Sequence, residues 1–78
     1  MNIHIRYTGN AYWDAQITLN ANLFFEADRL DAAAYLIIDH GFDDLEVWKR
    51  FREAKKVAQA QRQIACLDWL RIRLALEG

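Results

Sequence analysis

The chain has 78 residues, with 10 Lys and Arg against 11 Asp and Glu, one Cys, three Gly and no Pro. This length allows one domain, 1–78, which by surface scaling hides roughly 63% of its unfolded area, so the core is small. With 54% hydrophobic and 27% charged residues the composition argues against disorder, and a lone Cys excludes an internal disulfide framework and favours a reducing compartment. No apolar run is long enough to cross a membrane, and Met1 to Arg6 lack the apolar stretch of a signal peptide. The expectation is a cytoplasmic protein with no membrane partner.

From Ile3 to Ala27 apolar residues alternate with polar ones, a period of two that predicts strands. Ile3, Ile5 and Tyr7 form a first run. Trp13, Ala15, Ile17 and Leu19 form a second, and Leu23, Phe25 and Ala27 a third. Cross-strand partners must share a face, and three-residue loops at Gly9–Asn10–Ala11 and Asn20–Ala21–Asn22 satisfy this. They set Tyr7 opposite Trp13, Ile5 opposite Ala15, Ile17 opposite Phe25 and Leu19 opposite Leu23. A three-stranded antiparallel meander with its second strand central is the expectation.

Asp28 then reads as an N-cap, with a short helix from about Arg29 to His40 that stops at Gly41. Asp43 restarts the chain. No Gly or Pro occurs between Asp44 and Glu77, which predicts one helix of about 33 residues, roughly 50 Å long. A bend near Gln59–Gln63, where the apolar stripe lapses, is compatible with the pattern. The fold class expected is α+β, with the order βββαα.

Val47, Phe51, Ala54, Ala58, Ala65, Trp69, Ile72 and Leu76 fall on one face of the long helix. Its distal part, about 62–77, is apolar on a second side through Leu67, Leu70 and Leu74, beside Cys66. A three-stranded sheet cannot cover both sides, so these four residues are the expected self-association seam of a homodimer, the distal helix projecting as an interaction element.

Charge is unevenly spread: residues 26–46 hold seven acids against Arg29, whereas 47–78 hold eight bases and three acids. Helix-dipole preferences account for this pattern. Lys49, Arg52, Lys55 and Lys56 offer a basic face for nucleic acid, the alternative function, although no recognised nucleic-acid-binding motif accompanies them. Asp39–Asp44, with His40, is the cluster of metal-capable side chains, but its spacing fits neither an EF-hand nor a zinc motif, so no metal or other cofactor is expected. His4, His40 and Cys66 lie in separate elements, and no phosphate-binding loop is present, so no catalytic residue is assigned. Tyr12 and Phe24 on the outer sheet face, with Asp39, Asp43 and Asp44, are the candidate contacts to a protein partner.

The junction Phe25-Glu26-Ala27-Asp28-Arg29-Leu30-Asp31-Ala32-Ala33, read as a strand entering a helix, resembles one in short phage-encoded proteins, and the size and layout are similar to those of anti-CRISPR inhibitors. The resemblance implies a stoichiometric inhibitor, acting in a bacterial host, that occupies a surface of a CRISPR effector complex, often through acidic side chains. A non-enzymatic protein–protein interaction module is therefore the leading functional expectation.

Overall fold

Between Asn10 and Ile38 the chain contains neither Gly nor Pro, and seven of the 27 residues from Ala11 to Ile37 are alanine, the best helix former. The computed structural model, which describes residues 7–39, 41 and 43–77, forms a single helix there, α1 (Ala11–Ile37). The second helix, α2 (Leu45–Glu77), has 33 residues, as the sequence predicts. Among the described residues these two helices are the whole of the regular structure, an antiparallel hairpin.

The βββαα, α+β expectation is overturned. Gly9, at φ +83°, does not head a β-hairpin loop; it turns the chain into α1. Asn10 caps that helix, its side chain accepting from the Trp13 N–H at 3.1 Å. The Asp14 carboxylate reaches back to accept from both the N–H and the hydroxyl of Thr8, at 2.6 and 2.9 Å. The supposed second loop, Asn20–Ala21–Asn22, is mid-helix, with Asn20 and Ala21 buried. Of the expected first strand, Ile3 and Ile5 lie outside the described residues, as do His4, His40 and Phe42. The segment 25–33 is continuous helix, so the strand-to-helix junction that carried the resemblance to anti-CRISPR inhibitors does not exist.

The helices meet along a seam with spacing of three and four. On α1 it is Trp13, Ile17, Asn20, Phe24, Ala27, Asp31 and Ala34, continued by Ile38, and every one is buried or half-buried. On α2 it is Val47, Phe51, Ala54, Ala58, Gln61, Ala65, Asp68 and Ile72. This is heptad patterning, which keeps two helices in contact over many turns. Ala27, Ala34, Ala58 and Ala65 are fully buried at its centre, and such small side chains let two backbones approach closely. The lapse of the apolar stripe around Gln61 is not a bend: Gln61 takes a seam position and its side chain donates to the Leu23 carbonyl at 3.3 Å.

The molecule measures 51 × 17 × 15 Å between its Cα extremes, and 51 Å matches a straight 33-residue helix of about 50 Å. Its Cα radius of gyration, 16.1 Å, far exceeds the about 11.5 Å of a compact domain this long. A two-helix hairpin has one internal face, and much of its apolar surface stays outside.

Candidate functional site

Cross-helix hydrogen bonds define the two edges of the hairpin. On one edge Arg62 donates to Asp28 at 2.8 Å and Lys55 donates to Asp31. The Lys55 ammonium also lies 4.8 Å from the centre of the Tyr35 ring. Tyr35 and Trp48 each pack on Phe51, at 5.4 and 5.5 Å between ring centres. The acidic part of α1 thus lies against the basic part of α2. Two acids of the 26–46 block, Asp28 and Asp31, are thus paired across the hairpin with Arg62 and Lys55. The hydrogen bond to Asp31 holds the Lys55 pKa above its ordinary value, against a partial desolvation that acts the other way.

The other edge is marked by Gln61 on the Leu23 carbonyl and by Arg71 donating to the Gln16 side chain at 2.8 Å. Here both helices carry a second set of residues spaced by three and four. On α1 these are Tyr12, Gln16, Leu19, Leu23, Glu26, Leu30, Ala33 and Ile37. On α2 they are Arg50, Glu53, Val57, Ala60, Ile64, Leu67, Arg71 and Leu74, all exposed. Val57, Ile64 and Leu67 are 55%, 54% and 61% exposed, far more than a packed helix leaves such residues. At 100° per residue each second seam, one residue behind the first, lies about 100° round its helix from it. In a four-helix bundle each helix touches neighbours at about this angle.

Glu26 interrupts the apolar run on α1. Its carboxylate takes two bonds from the Arg29 guanidinium, at 2.8 and 2.5 Å, and these hold its pKa below the usual carboxylate value.

The sequence-predicted sites are redistributed. Leu67 and Leu74 lie on the apolar edge, and Tyr12 joins them from α1, 61% exposed. Cys66 is exposed on the far side of α2, and Leu70 is exposed about 60° and 40° round the helix from Leu67 and Leu74, flanking that edge. Phe24 is half-buried in the helix seam rather than displayed on a sheet. Asp44 is a helix cap: its carboxylate accepts from the Glu46 N–H at 2.8 Å and its carbonyl from the Trp48 N–H at 3.1 Å. Asp39 and Asp43 are exposed in the connection. Of the basic residues, Lys55 is turned onto Asp31, while Lys49 and Lys56 pair with Glu46 and Glu53 at 3.5 and 3.2 Å. Arg52 lines a shallow surface depression with Lys49, Glu53 and Lys56. Sequence reasoning missed Leu19, Leu23, Leu30, Val57 and Ile64. Their signal was the recurrence of apolar residues at 19, 23, 30, 33 and 37 on α1 and at 57, 60, 64, 67 and 74 on α2.

Among the described residues no group of three or more His, Cys, Asp and Glu could hold a metal ion, and no helix is long and apolar enough to cross a membrane. No protein-family model, curated protein or solved structure matches the chain.

Proposed function

We propose that this chain is a non-enzymatic protein–protein interaction module that works by docking the apolar edge of its hairpin against other helices. The observation that carries this reading is the pair of second seams, one on each helix and both on the same edge. An exposed Leu taken singly says nothing, since much of any protein surface is apolar. Leu19, Leu23, Leu30, Val57, Ile64 and Leu67 on one strip are different: aligned apolar residues at heptad spacing are the pattern by which helices recognise helices.

Site-specific photo-crosslinking in cells tests the reading. A photoreactive residue at Leu30 or Ile64 gives protein adducts, whereas one at Gln59, on the far side of α2, does not. Equal labelling from all three positions, or none from any, overturns it.

A further inference from the structure

We propose that the occupant of this edge is a second copy of the chain, two hairpins closing edge to edge into a four-helix bundle with each helix antiparallel to its own counterpart. The proposal rests on the interaction-module reading and names its partner.

The first argument is the exposure of the edge itself: Leu19, Val57, Ile64, Leu67 and Leu74 are 57%, 55%, 54%, 61% and 68% exposed, an apolar strip that an identical strip would cover.

The second argument is self-complementarity. A two-fold interface needs a surface that matches itself, so that residue i meets j and j meets i. The α2 seam is arranged in this way about the level of Arg62. Val57 falls opposite Leu67 of the partner, Ala60 opposite Ile64 of the partner, and Glu53 opposite Arg71 of the partner. The α1 seam mirrors itself between Phe24 and Phe25, setting Leu19 opposite Leu30 of the partner and Tyr12 opposite Ile37 of the partner. One axis serves both helices, because the two centres lie at the same height: Gln61 reaches the Leu23 carbonyl at 3.3 Å. The only oppositely charged pair across the α2 seam, Glu53 with Arg71, thus recurs symmetrically at both ends of an apolar middle.

Light scattering and sedimentation of the purified full chain, from low micromolar to roughly 100 µM, are the first test. The expected mass is twice 9.2 kDa. A chain that stays monomeric overturns the proposal. The register is tested by charge exchange. Glu53→Arg and Arg71→Glu each weaken the dimer about tenfold, by setting like charges against each other, and the double variant restores it. Glu53 and Arg71 lie about 27 Å apart along one helix, so rescue can arise only between chains. Both are exposed, and the one cross-helix bond lost, Arg71 to Gln16 in Arg71→Glu, is lost in the double variant too, so rescue by the double variant cannot come from it. A dimer without rescue overturns the antiparallel register. Crosslinks from Ile64 to a different protein, with a monomeric purified chain, sink the self-association and leave the interaction module standing; absence of any crosslink sinks both.

Discussion

The Asn20 side-chain amide donates to the main-chain carbonyl of Ala65, at 3.0 Å, across the centre of the helix seam. The same amide nitrogen donates to the Asp68 carboxylate at 3.1 Å, and the residue is only 4% exposed. A buried amide held by these two partners is satisfied in one alignment only, so it fixes how α1 slides along α2. Replacing Asn20 by Ala removes both bonds and lowers stability by about 1–2 kcal/mol. Asn20→Leu, with the same number and branching of heavy atoms, keeps or raises the urea midpoint but loosens the alignment. The readout is amide NMR: one set of sharp resonances in the parent and broadened or doubled ones in Asn20→Leu. A single sharp set there would show that the register is fixed elsewhere.

Ala58 and Ala60 are two residues apart and test which face of α2 is closed. Ala58 is fully buried against α1, whereas Ala60 is exposed on the apolar edge. Ala58→Leu forces the helices apart and costs about 1–3 kcal/mol, as overpacking does. Ala60→Leu projects away from the helix seam and leaves the hairpin intact. Thermal unfolding followed by circular dichroism separates the two, and equal losses would mean that the seam does not run through Ala58.

Lys55 and Asp31 give a pH dependence with a definite sign. The pKa of Lys55 is raised in the folded chain, chiefly by its hydrogen bond to Asp31. A raised base contributes stability fully below its unfolded value, about 10.4, and that contribution fades as pH rises through the folded pKa. The melting temperature of the parent therefore falls more between pH 9 and 11 than that of Lys55→Met. Parallel curves for the two would assign the alkaline loss to other groups.

How much of this was legible in the sequence differs between the helices. The α2 helix was readable because nothing between Asp44 and Glu77 interrupts it and Val47, Phe51, Ala54, Ala58, Ala65 and Ile72 repeat at helical spacing. The α1 helix was not, because its seam is chemically faint. Asn20 and Asp31 occupy core-facing positions and Ala27 and Ala34 fill others, so the helical period carries little hydrophobic contrast. Against that weak signal, the alternation of Trp13, Ala15, Ile17 and Leu19 mimicked a strand. Gly9–Asn10, a helix entry, has the composition of a hairpin turn. The unbroken stretch from Ala11 to Ile37 and its alanines were the stronger cue. Half of the apolar edge followed the same fate: Leu67 and Leu74 stood out on α2, while Leu19, Leu23 and Leu30 could not join them once assigned to a sheet and a short helix.

Glu26 is the remaining polar residue in the apolar part of the α1 seam, between Leu23 and Leu30. In the proposed symmetric bundle it falls opposite Leu23 of the partner, one and a half residues from the two-fold axis, so the two Glu26 carboxylates come near each other. Each is neutralised by its own Arg29 through two short hydrogen bonds, with the carboxylate pKa lowered as a result. Polar residues of this kind restrict pairing to one register at some cost in affinity. Glu26→Leu removes the charge and extends the apolar strip, so the dimer dissociates at least tenfold less readily, measured by sedimentation over a dilution series. Arg29→Ala has the opposite effect, since it leaves two unneutralised carboxylates facing each other; acidifying that variant, so that Glu26 takes up a proton, restores association. Tighter association in Arg29→Ala at neutral pH would place Glu26 away from the axis.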